Sequence, residues 1–212
     1  MFTHLYGKWC NIDDFIDTAR RKNIQVIEDC AESFCGFEKL GHPNCDISLF
    51  SFGVIKYYTA FGGAIAKVKN ESVYKAMSDL ASKYPVQTQF TYLKKILKYT
   101  FVYIWLDCPS IIRPGMYFTR TFNIDHKKIG IKLLRGFPDQ LIERIRQRPS
   151  LALLKTMIYR LSRFDQRDFE TINIKGEYVK ERLPDTVTLV GSQTEINNYW
   201  LFPILVVRQH MY

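Results

Sequence analysis

Between Gln25 and Ala66 lie an aspartate, a serine and a lysine whose types and settings could do chemistry together. Asp29 closes the apolar run QVIED. A carboxylate at the end of a strand in a parallel sheet stands where ligands collect, and once desolvated it needs a cationic partner. A protonated pyridine nitrogen is one such partner. Lys56 falls in the turn between the runs DISLFSF and AIAKV, flanked by Ile55 and Tyr57. It reads either as a solvated turn residue or as a partly desolvated amine, which is the nucleophilic form toward carbonyls. Ser51, five residues earlier, reads as a turn hydroxyl or as a donor to a phosphate. A carboxylate and a lysine in this setting suggest an aromatic cofactor held as an imine.

The elements that must position these residues follow from pattern. Asn11 caps a predicted helix over 12–22, with Ile12, Phe15, Ile16 and Ala19 inward and Asp13, Asp14 and Asp17 at its positive end. Strands are expected over 24–29, 46–52 and 64–68, the last preceded by Gly62–Gly63. Asn70 caps a helix over 71–83 with Val73, Met77, Leu80 and Ala81 facing in. This rhythm indicates a doubly covered α/β sheet. A turn at 136–138 leads to a basic helix opened by Asp139. A longer helix runs over 150–165, with Leu151, Leu154, Met157, Ile158, Leu161 and Phe164 inward. Further helix follows to residue 183, and antiparallel strands are expected over 186–190 and 199–207.

The stretch 84–137 is aromatic and basic. Lys94, Lys95 and Lys98 precede an apolar run from Tyr99 to Leu106 that is too short to span a bilayer. It reads as a core or dimer-interface helix, or as a helix lying on an anionic membrane through 92–106.

At 212 residues with 47% hydrophobic and 24% charged residues, the chain suits one domain or slightly more. A net charge of +9 favours an acidic partner. No nucleic-acid motif is present, so nucleic acid is not an expected partner. The five cysteines include no CxxC pair and read as reduced thiols of a cytoplasmic protein, with no metal site expected.

HLYG (4–7), VIEDCAESF (26–34) and DISLFSFGVIK (46–56), followed by Gly62–Gly63, resemble the DegT-type (DegT/DnrJ/StrS) sugar aminotransferases. The resemblance is densest from His4 to Val68 and continues weakly through 148–165 and 199–206. It implies an α/β fold: part of a fold type I, aspartate aminotransferase-like large domain with a mostly parallel sheet, plus the start of a small α+β domain. It implies pyridoxal 5′-phosphate as cofactor, with Lys56 forming the imine and shuttling the proton. Asp29 would pair with the pyridine nitrogen, Ser51 would bind the phosphate, and Glu32 would stand beside the ring. Arg148 would serve the substrate or dimer site. The implied reaction is amination of a nucleotide-activated keto sugar for glycan precursors, with glutamate as the usual donor and a homodimer as the working form.

The sequence departs from the family at several points. Glu32 stands where the family usually carries Gln or His, Phe61 replaces the acidic residue before the paired glycines, and Arg146 replaces the asparagine of the Asn-x-Arg signature. Residues 84–137 read as an insertion. The expected organisation is a cofactor-binding portion over 1–83, the insertion over 84–137, a helical connection over 138–183 and an incomplete C-terminal domain over 184–212. The chain is accordingly expected to be a fragment, inactive alone, lacking the N-terminal part and the end of the C-terminal domain. The alternatives are a non-catalytic scaffold of the same fold and a basic peripheral membrane protein.

Overall fold

Alternation along VIED sets the core. Val26 and Glu28 are buried, whereas Ile27 and Asp29 are half-buried on the other face of the strand. The computed structural model describes residues 1–108, 110, 113–114, 117, 121, 142, 145–191, 194 and 196–206, with 105 and 106 described as backbone only. The turn at 136–138 and the helix opened by Asp139 lie outside the described residues.

In chain order the elements are β1 (Phe2–Thr3), a 3-10 turn (Leu5–Gly7), β2 (Lys8–Trp9), α1 (Asp13–Arg21), β3 (Ile27–Asp29), β4 (Ile47–Ser51) and β5 (Ala64–Val68). They continue as α2 (Glu71–Ser82), α3 (Gln89–Asp107), α4 (Leu151–Leu161), α5 (Gln166–Lys180), β6 (Val187–Leu189), β7 (Ile196–Asn197) and β8 (Ile204–Val206). Two compact units result, Met1–Lys75 with Tyr159–Tyr212, and Ala76–Ile158.

In the first unit a four-stranded sheet has the order β1-β3-β4-β5, with β1, β3 and β4 parallel and β5 antiparallel at the edge. The mostly parallel sheet is the expected one. Asn11 starts α1 by accepting the Asp13 N–H at 2.8 Å, and Ile12, Ile16 and Ala19 pack with Val26 and Cys45. Phe15 departs from the expected stripe. It is exposed and meets Phe2 at a ring distance of 5.5 Å. A second core gathers around Phe34, whose ring meets Phe50, Phe52, Tyr58 and Phe164.

β6 pairs antiparallel with β8, as expected, over three residues each. Sequence reading missed the antiparallel pair of β2 with β7, which ties the N-terminal turn to the C-terminal segment. Two expected stripes need correction. α2 buries none of its residues, leaving Met77 and Leu80 exposed, and α4 buries Leu153 and Met157 while Leu151, Leu154 and Ile158 are exposed. Apolar period marks a face without saying that a neighbour covers it.

In the second unit, Val86 and Arg148 form a parallel bridge, closed by the Arg148 N–H donating to Pro85 O at 2.8 Å and the Gln87 N–H to Arg148 O at 2.9 Å. α3 buries Tyr92 and Val102. No helix among the described residues is long and apolar enough to cross a membrane.

Candidate active site

The parallel register places two of the anticipated residues, Asp29 and Ser51, at one edge. Thr3 pairs with Asp29 and Asp29 with Leu49, so Asp29 ends β3 while Ser51 ends β4 two residues further on. By the two-residue period Asp29, Leu49 and Ser51 share a face, at the carboxyl ends of parallel strands where open α/β sheets bind ligands. The Asp29 carboxylate accepts the Ala31 N–H at 3.0 Å and the Thr3 hydroxyl at 3.5 Å. It joins no ion pair among the described residues.

Lys56 lies in the loop that leaves β4. Phe52 closes this loop, accepting N–H groups from Ala60 and Gly62 at 3.0 Å each and donating its own N–H to Gly63 O. Inside it the Lys56 N–H donates to Gly53 O at 3.1 Å, and Ser51 Oγ accepts the Gly53 N–H at 3.4 Å. Two residues pin the loop from outside. Trp200 Nε1–H donates to Ile55 O at 2.7 Å, and Arg160 Nε–H donates to Thr59 O at 3.2 Å while its guanidinium lies 4.6 Å from the Tyr58 ring centre.

The Lys56 ammonium therefore has a defined setting. Nζ is 3.7 Å from Glu32 Oε1 and 5.1 Å from the centre of the Trp200 ring. Glu32 is itself fixed, because its Oε2 accepts the Tyr6 N–H at 2.9 Å. Tyr6 has φ of 61°, a left-handed conformation that aims this N–H at the carboxylate. Asn198, fully buried, completes the arrangement by donating to Glu32 O and Phe34 O at 3.1 and 3.3 Å and accepting the Trp200 N–H at 2.9 Å.

Sequence reading anticipated Asp29, Glu32, Ser51 and Lys56, and the structure places them around one strand edge. It missed Tyr6, Arg160, Asn198 and Trp200. The NYW triplet held the only available signal, polar and aromatic residues just before a strand. Arg148 belongs to the second unit, where its Nε donates to Tyr84 O at 3.0 Å.

The opposite face of β3 carries a separate network. His4 Nδ1 accepts the Cys10 N–H at 3.2 Å, which leaves Nε2 protonated to donate to Glu28 Oε1 at 2.9 Å. Glu28 Oε2 accepts the His42 N–H at 2.7 Å and the Ser48 hydroxyl at 2.9 Å. Burial raises the Glu28 carboxyl, and these hydrogen bonds outweigh it, holding the group below its ordinary value. Ligand atoms of His4, Glu28 and Cys30 lie within 4.8 Å of one another. Both His4 nitrogens and both Glu28 oxygens are already engaged, so the cluster is a structural network of the core.

With that geometry in place, residues 1–99 match the family described as the DegT/DnrJ/EryC1/StrS aminotransferase family. The match covers a little under half of the 212-residue chain. Among curated relatives it is similar to a GDP-perosamine synthase of Escherichia coli O157:H7, 36% identical over 76 residues, which is 35% of this chain and 21% of the relative. It is also similar to Protein MosB of Rhizobium meliloti, 31% identical over 81 residues, 37% of this chain and 16% of that protein. The matches thus span about a fifth of the curated relatives' length. The aminotransferase TlmJ from Streptoalloteichus hindustanus superposes with a TM-score of 0.51 at 12% identity, covering 96% of this chain and 44% of the other. That likeness shows the fold alone, an α/β fold.

Pyridoxal 5′-phosphate is the cofactor of the DegT family, and the region of this chain that matches that family has a donor set that fits it. Lys56 offers an amine, Asp29 a half-buried carboxylate free of protein cations among the described residues, and Ser51 with the Gly53 N–H a pair of polar groups at a strand end.

Proposed function

We propose that this chain is part of a pyridoxal 5′-phosphate-dependent aminotransferase that moves an amino group onto a nucleotide-activated keto sugar. The observation that carries the reading is the setting of Lys56, the lysine on the loop after β4, between Glu32 and Trp200. In this reading Lys56 is the residue that holds the cofactor and moves the proton. Asp29 pairs with the ring nitrogen, Ser51 meets the phosphate, and residues 1–83 supply the large-domain portion. When bound, the cofactor supplies an electron-withdrawing ring that stabilises negative charge beside the transferred nitrogen.

The chain's own residues do the rest. Asp29 keeps the ring nitrogen protonated, since a half-buried carboxylate favours a cation beside it. Trp200 and Arg160 fix the loop so that the Lys56 amine is delivered to one place. Glu32 holds that amine by charge without bonding to it at hydrogen-bond distance. Arg148 is assigned to the substrate or to a partner copy in a homodimer. Glutamate as amino donor, glycan precursor synthesis and a cytoplasmic location belong to the same proposal.

The test is reduction with borohydride in the presence of pyridoxal 5′-phosphate, followed by peptide mapping. Label on the peptide holding Lys56, lost in Lys56→Arg, is the expected result; label spread over other lysines overturns it. The Glu32–Lys56 pair favours one second reading, a non-catalytic scaffold in which the carboxylate retains the lysine. A protein that turns yellow on adding the cofactor supports the enzyme, and one that stays colourless supports the scaffold.

A further inference from the structure

Helix α3, Gln89–Asp107, is apolar on two opposite faces. One side buries Tyr92 and Val102, with Lys95, Ile96 and Tyr99 half-buried beside them. At 100° per residue, Phe90, Leu93, Leu97, Phe101 and Ile104 fall within about 80° of arc on the other side. All five are between 49% and 71% exposed. Lys94 and Lys98 run along one flank of this stripe, and the Lys94 ammonium lies 4.5 Å from the Phe90 ring centre. The helix carries one carboxylate, Asp107 at its end, so α3 itself places no acidic side chain along the stripe.

We propose that α3 docks by this face on an anionic phospholipid surface. The five apolar side chains would enter the headgroup–acyl boundary, and Lys94 and Lys98 would meet lipid phosphates. The arrangement is that of an interfacial helix: a continuous apolar stripe edged by lysines whose stems cover apolar surface while their heads reach outward. Its apolarity is insufficient to cross the bilayer, so the helix lies along it. Charge decides against a second copy on the same face. An isologous pair brings the same lysines to one seam from both sides with no carboxylate of α3 along the stripe to meet them, whereas an anionic surface complements them. The inference is independent of the catalytic reading.

The test is co-sedimentation of the purified chain with vesicles of phosphatidylcholine alone and of phosphatidylcholine mixed with phosphatidylglycerol, at low and high salt. The expected result is binding to the anionic vesicles at low salt, weakened by high salt. In Lys94→Gln, a change at an exposed position, partitioning falls on the order of fivefold. In the Leu97→Ser, Phe101→Ser double variant it falls on the order of tenfold or more. No binding at low salt, or equal binding to neutral and anionic vesicles, overturns the proposal. So does a dimer in gel filtration that the Leu97→Ser, Phe101→Ser variant dissociates, which would assign the face to a second copy.

Discussion

Glu28 and Asp29 are neighbours in sequence with opposite assignments, because a strand turns successive side chains to opposite faces. Asp29 faces the sheet edge at the carboxyl ends of the parallel strands, and Glu28 faces the core with His4, His42 and Ser48. Removing His4 leaves a buried carboxylate short of a donor, so His4→Ala is expected to destabilise the fold by about 3–5 kcal/mol in urea unfolding. Glu28→Gln keeps the shape and costs about 2–3 kcal/mol. The sign of the pH effect follows from the lowered Glu28 carboxyl. Its contribution is fully present above the ordinary value of 4.5 and is lost as pH falls through the lower folded value. Urea midpoints measured across this range should decline more steeply toward acid in the native chain than in Glu28→Gln. Only half of this was legible in the sequence. Asp29 is legible from its place at a strand end, whereas Glu28 is not, because its partners lie 24, 20 and 14 residues away.

The loop carrying Lys56 is held in place by other elements. Its two outside anchors, Trp200 and Arg160, come from beyond the sheet, and the segment bearing Trp200 is seated by Asn198 against the 3-10 turn. Gly7 makes that seat possible. Its φ is +81°, and a Cβ there would overlap Asn198 Oδ1, so Gly7→Ala is expected to destabilise by about 2–3 kcal/mol. Trp200→Phe removes the N–H donated to Ile55 while keeping a ring near Lys56, a loss of about 1 kcal/mol. Urea unfolding monitored by circular dichroism checks both. Helix and strand positions were largely readable, since caps such as Asn11 and Asn70 act locally. The β2–β7 pair was not, because two-residue strands leave no period to read and their partners stand far apart in the chain.

Across the molecule, all five cysteines are free thiols. Cys30, Cys35 and Cys45 are buried, and burial, joined by the charge of Glu28, pushes the Cys45 thiol up to about 12. Ellman's reagent should therefore modify Cys10 and Cys108 quickly in the native chain and all five only after denaturation. The fold class was legible because alternating apolar runs and helix caps repeat along residues 11–83. The faces of α2 and α4 were not, since exposure depends on neighbours that periodicity does not name. The contact between Trp200 and the Lys56 loop spans 145 residues of chain, and that between Asn198 and Glu32 spans 166. A ribosome delivers the N-terminal residues first. The partners that Arg160 and Trp200 hold in the Lys56 loop therefore precede them by 101 and 145 residues. A nascent chain thus carries Lys56 without its setting until Trp200 has been made, and the loop is fixed only afterwards.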